Sequence, residues 1–156
     1  MKQFIRKTFI VGLIIFLLMQ LYQPARNSNN GQVSSTDFLS TYQVPTNVSK
    51  ILQTSCYDCH SNNTNYPWYS YIQPTRLWLE THIREGKEEL NFSEFGNYSK
   101  RRQESKLQSM QKQVTSGEMP LNSYTLVHQD AKLSESQIKE LNIWIDTILE
   151  GFEEEY

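Results

Sequence analysis

The sequence predicts an all-α protein. Apolar residues recur at spacings of three and four in four segments. Capping and stop residues stand at the ends of those segments. No alternating run of β-branched residues is long enough to demand a sheet, and there is no internal repeat.

The chain begins with Lys2, Arg6 and Lys7, followed by the apolar run from Phe9 to Met19. A positive stretch before such a run is an export signal. Positive residues stay on the cytoplasmic side, so everything after residue 22 is expected outside the cytoplasm. Residues 1–22 read as an uncleaved signal-anchor helix or as a cleaved signal peptide. Gln20 to Arg26 shows no good small-residue cut pattern and no cysteine for lipid attachment, which favours the anchor. The nineteen residues from Phe4 to Tyr22 are marginal against the roughly 20 needed to span a bilayer. Residues 23–45, rich in Asn, Ser and Gln, read as a flexible linker closed by Pro45. The helical domain is expected over 46–156.

Its first helix is predicted from about Thr46 to Asp58, capped by Thr46 or Asn47, with Val48, Ile51, Leu52 and Ser55 on one face. The second starts near Pro74, a good first-turn residue, and runs to about Leu90. Leu77, Trp78, Thr81 and His82 form its expected inner stripe, and Gly86 is a place where it can stop short. The third runs from a Ser99 cap to Ser116, with Leu107, Met110 and Val114 on its apolar stripe and Gly117 as a stop. The fourth opens with a Ser134–Gln137 capping box. It continues through Ile138, Leu141, Ile145 and Ile148 with Trp144 beside them; Gly151 is expected to end it, and an acidic tail follows.

Charge is uneven. Four of the 15 basic residues (Lys2, Arg6, Lys7, Arg26) and no acid precede residue 27, which leaves a net of −6 on the rest. That balance offers no nucleic-acid surface. Lys100-Arg-Arg102, the one basic run, reads as a solvated helix start. Hydrophobic residues make up 38%, a slightly lean core that a large flat cofactor would supplement.

The chemistry concentrates in Cys56-Tyr-Asp-Cys59-His60. Two cysteines three residues apart are a site, not a disulfide framework, and CxxCH is the signature of c-type haem attachment. Each thiol adds across one haem vinyl group to make a thioether. The adjacent His60 is then carried beneath the iron as its nitrogen ligand. A structural zinc site would need a further Cys or His pair nearby, and a dithiol redox site a βαβ setting; neither is visible. A second axial ligand is expected from Met119, in Gly117-Glu-Met-Pro120, just beyond the third helix. Pro120 fixes the chain beside it, and His/Met ligation raises the reduction potential and closes the iron to small ligands. His82 and His128 are the rivals for that place, and Met110 reads as core. Tyr66-Pro-Trp-Tyr-Ser-Tyr71 reads as a pocket wall or as loop packing. The Pro74 carbonyl is a candidate acceptor for the second ring N–H of His60.

From Cys56 to Pro74 the sequence resembles the bacterial haem-binding domain family with a single CxxCH. The resemblance continues at His82-Ile-Arg-Glu-Gly86, Leu90-Asn-Phe-Ser93, Gly117-Glu-Met-Pro120, Tyr124, His128, Ala131-Lys-Leu-Ser134 and Trp144, and covers roughly residues 45–148. The usual family pattern has more prolines near the position of Met119, where Leu121 follows here. The resemblance implies a cytochrome c-like helical fold around one covalent haem c on Cys56, Cys59 and His60, with Met119 as distal ligand. The expected role is a one-electron carrier at the cell membrane, facing the periplasm and serving membrane or periplasmic redox partners. It would be an enzyme, such as a haem peroxidase, or a haem-based ligand sensor only if the distal ligand were labile.

Overall fold

A computed structural model describes residues 1–153, and every regular element among them is helical. The helices are α1 (Lys2–Met19), α2 (Phe38–Thr41), α3 (Thr46–Ser55), α4 (Tyr57–His60), α5 (Thr75–Glu89), α6 (Lys100–Ser116), α7 (Asn122–Thr125) and α8 (Glu135–Glu153). Three 3-10 turns, at Trp68–Tyr71, Phe92–Asn97 and Gln129–Ala131, join them.

The core forms where α6 and α3 pack against α8. On α3 the expected face, Val48, Ile51, Leu52 and Ser55, is buried. Pro45, and neither Thr46 nor Asn47, occupies its N-cap position. The chain breaks at Cys56 and starts a separate turn, so the expected helix to Asp58 is two helices meeting at the first cysteine. On α6, Leu107, Met110 and Val114 are buried. The Ser99 hydroxyl accepts from the Arg102 amide at 3.4 Å, and Gly117 ends the helix at φ 74°, where a Cβ would be strained. The capping box of α8 is formed. The Ser134 amide donates to Gln137 Oε1 at 2.9 Å, and the Gln137 amide donates back to Ser134 Oγ at 3.3 Å. Leu141, Trp144 and Ile145 are buried below it. This helix runs through Gly151 to Glu153, and the rest of the expected acidic tail lies outside the described residues.

Three expectations need correction. The stripe on α5 is Arg76, Leu79 and Ile83, while Leu77 and Trp78 are exposed. Both sets satisfy helical spacing, so the face turned inward is decided by packing against α4 and the Trp68–Tyr71 turn. Gly86 does not shorten the helix, which continues to Glu89.

The third correction is larger. Residues 23–45 are not a free linker. Gln23 and Pro24 accept hydrogen bonds from the Arg76 guanidinium. The Asn27 amide group donates to the Ser61 carbonyl at 2.8 Å and to Thr64 Oγ1 at 2.9 Å. Asp37 caps α2 by accepting from the Leu39 amide. Phe38 is 0% exposed and sits at the centre of the aromatic core, with ring centroids 4.7 Å from Phe95, 5.1 Å from Phe92 and 5.6 Å from Trp144. A single large ring in polar surroundings leaves no periodicity, and the polar side chains serve as caps and anchors instead of solvating a coil.

Among the described residues no helix is long and apolar enough to cross a membrane. Lys2, Arg6 and Lys7 occupy the first turns of α1, and the eleven apolar-run residues Phe9–Met19 cover about 16 Å of a core about 30 Å thick. None of the α1 side chains is buried.

Two predictions follow from this packing. Phe38→Ala is expected to lower unfolding free energy by about 3–5 kcal/mol, read by urea titration; a change below about 0.5 kcal/mol would restore the linker reading. The second concerns alkaline pH. Burial pushes the Tyr42 phenol up to about 12, and its hydroxyl donates to Gln103 Oε1 at 2.8 Å. Burial, then the hydrogen bond to Asp37, also raises Tyr57. A raised phenol favours the fold below its unfolded value near 10 and ceases to do so as pH passes its folded value. The urea midpoint should therefore hold to about pH 10, fall above it, and fall less steeply in Tyr42→Phe.

Candidate functional site

The short helix α4 carries Cys59 and His60, with Cys56 at its N-cap. It lies between α3, α5 and the Phe92–Asn97 turn. The Tyr57 ring stacks on Phe92 at 4.9 Å, and its hydroxyl donates to Asp37 Oδ1 at 2.8 Å. On the other side α5 comes so close that a Cβ at Gly86 would stand 2.9 Å from the Cys59 carbonyl oxygen and 3.4 Å from His60 Cε1. Only a glycine permits that approach.

His60 Nδ1 lies 2.9 Å from the Leu90 carbonyl oxygen. A carbonyl only accepts, so Nδ1 carries the proton and Nε2 keeps its lone pair. The expected partner was the Pro74 carbonyl, but that oxygen accepts from the Trp78 amide inside α5. Burial lowers the His60 pKa, with hydrogen bonds to the Leu90 and Gly86 backbone opposing it, so the ring is neutral at pH 7. A neutral imidazole oriented through its other nitrogen is the form that binds a metal.

Burial also governs the thiols. It pushes Cys56 up to about 12, helped by Cys59, and Cys59 up to about 11, helped by Asp58. A redox dithiol needs the opposite shift. Among the described residues no three His, Cys, Asp or Glu side chains gather to hold a metal ion by themselves.

Cys56, Cys59 and His60 line one cavity of about 390 Å³, within the usual range of about 300–1,000 Å³ for cofactor pockets. Leu90, Phe92, Met110 and Val114 supply apolar walls. Met119 also lines it, from the loop after α6. That loop is tied at its start by the Glu118 and Met119 amides, both donating to the Gln113 carbonyl. The cavity thus brings together all four residues singled out in the sequence. His82 lines it too, with Nδ1 2.9 Å from the Trp78 carbonyl of its own helix. His128 does not line it. Its Nε2 meets the Tyr69 hydroxyl at 2.9 Å, and its ring stacks on Tyr124 at 4.3 Å.

Two contributors escaped the sequence reading. Gly86 left a signal, a glycine inside a strong helical pattern. The Leu90 carbonyl left none, because any residue supplies one.

A cavity with an oriented imidazole, two neighbouring thiols and mostly apolar walls defines a receptor for a flat, metal-bearing cofactor. The sequence profile of the haem-binding domain family matches residues 14–147, and the chain belongs to that family. No curated protein and no solved structure matches it.

The Gly86 contact can be tested directly. Gly86→Ala should cost about 1–3 kcal/mol by overpacking and lower the haem content of purified protein. Gly151→Ala, with nothing within 4 Å of the new methyl, should leave haem content unchanged and match or exceed the parent in stability.

Proposed function

We propose that this protein is a c-type cytochrome that carries one electron at a time. The observation that carries the reading is the convergence of Cys56, Cys59, His60 and Met119 on one cavity, with His60 already held in the metal-binding tautomer. The residues fit the group. The two thiols stand in the spacing that thioether attachment uses, and the apolar walls suit a porphyrin face. When bound, haem supplies reversible exchange between ferric and ferrous iron.

The chain's own residues do the rest. His60 offers Nε2, and the Leu90 carbonyl fixes its ring and enriches its basicity. Met119 offers a thioether from the loop beyond α6. It is preferred over His82 because α5, which carries His82, is the helix that packs against His60 itself. Phe92, Met110 and Val114 line the cavity with apolar surface, which would exclude water from a bound haem and help set its potential. With His60 and Met119 both holding it, a bound haem would have no open position, which supports a carrier over a peroxidase or a gas sensor.

The N-terminal segment acts in this proposal as an export signal that stays with the protein, so that the haem domain works on the periplasmic side among its redox partners. Lys2, Arg6 and Lys7 before an apolar run support export. The docking of Gln20, Tyr22 and Gln23 on the domain supports retention.

Exported protein should give a pyridine haemochrome spectrum of thioether haem, and its pigment should survive acid–acetone extraction. Cys56→Ser with Cys59→Ser should release it. Met119→Ala should abolish the weak red absorption of a methionine–iron bond and open the iron to CO. Extractable haem would sink covalent attachment, and an unchanged Met119→Ala spectrum would sink the ligand assignment in favour of His82.

A further inference from the structure

Asp58 sits inside the Cys56–His60 motif, between the two cysteines, yet its carboxylate is shared by the loop that follows the motif and by a distant helix. Oδ1 accepts from the Asn65 amide at 3.0 Å, and Oδ2 accepts from the Tyr124 hydroxyl at 2.7 Å. Its main-chain carbonyl accepts from Thr64 Oγ1 at 2.6 Å. Tyr124 stands sixty-six residues away in sequence, on α7.

That helix is the far end of the loop carrying Met119. The Tyr124 and Thr125 amides donate to the Leu121 carbonyl, so α7 begins two residues beyond Pro120. The near end is the Gln113 carbonyl at the close of α6. Between these two holds lie Met119, Pro120 and Leu121, and all three line the cavity with Tyr124 itself. The segment that brings the thioether to the cavity is therefore pinned at one end by a helix terminus. At the other it is pinned by a phenol bonded to the attachment motif.

We infer that Asp58 and Tyr124 form a clamp that positions the Met119 loop, so that the turn which fixes the cofactor also sets the distal ligand. The inference rests on Met119 being the distal ligand. Its energetic basis is a short hydrogen bond to an ionised acceptor, the stronger kind. The half-buried phenol cannot readily replace it with water. The Tyr124–His128 stack and the His128–Tyr69 hydrogen bond brace the ring from behind. Removing the hydroxyl alone should therefore leave the ring in place and free the loop.

The test uses the full-length holoprotein. Tyr124→Phe and Asp58→Ala are each expected to weaken the red methionine–iron band and speed CO binding to the reduced protein roughly tenfold or more, the scale of one lost charge-assisted hydrogen bond. The double variant should go little further than either single one. Total haem by pyridine haemochrome should be unchanged in Tyr124→Phe, which separates ligand positioning from a general loss of folding. Unaltered band and CO rate in Tyr124→Phe, where Met119→Ala removes the band, would overturn the clamp and leave the ligand assignment standing. A Met119→Ala protein with an unchanged spectrum would overturn both.

Discussion

The close approach of α5 to the Cys59–His60 turn governs the geometry of the rest of the molecule. At Gly86 the helix lies against the Cys59 carbonyl and the edge of the His60 ring. The helix ends at Glu89, and the carbonyl of the next residue, Leu90, accepts a hydrogen bond from His60 Nδ1–H. One helix end thus excludes side-chain bulk from one side of the imidazole and supplies its hydrogen-bond partner. The other wall follows from it. Phe92, immediately downstream, stacks on Tyr57 and joins Phe38 and Phe95 in the aromatic core. Ring orientation, one cavity wall and two rings of the aromatic core thus come from the single stretch between Gly86 and Phe95.

The aromatic core explains how a chain with a lean apolar content closes around a large cavity. Phe38 arrives from the N-terminal side, Trp144 from α8, and Phe92 and Phe95 from the 3-10 turn, in edge-on and tilted pairs. Rings of this size bury much apolar area per residue and add a directional preference for such contacts. The core and the cavity share residues: Phe92, Met110 and Val114 belong to the core cluster and also line the cavity.

Much of this was legible in the sequence, and the exceptions share a physical cause. The buried faces of α3, α6 and α8 followed from spacing, because each offers one apolar stripe. On α5 two stripes compete, and sequence spacing does not say which turns inward. Phe38 carries no period at all. The motif Cys56–His60 and Met119 could be singled out because such chemistry depends on residue type, and the structure brings these residues to one cavity. Gly86, Leu90 and Asp58 matter through distance and backbone, and those depend on which helices meet. The ring partner of His60 was assigned to the Pro74 carbonyl for this reason; only the packed structure shows that oxygen committed to α5.

The fastening of the N-terminal helix to the domain has a mechanical meaning. Gln20, at the C-cap of α1, accepts from the Gln73 amide at 2.9 Å, and the Gln73 side chain donates to the Tyr22 carbonyl at 2.7 Å. Arg26 lies over the Tyr71 ring at 4.3 Å. These bonds begin within three residues of the end of α1, which leaves no slack chain to act as a swivel. Torque applied to that helix passes straight into the globular body, so whatever grips the one also aims the other.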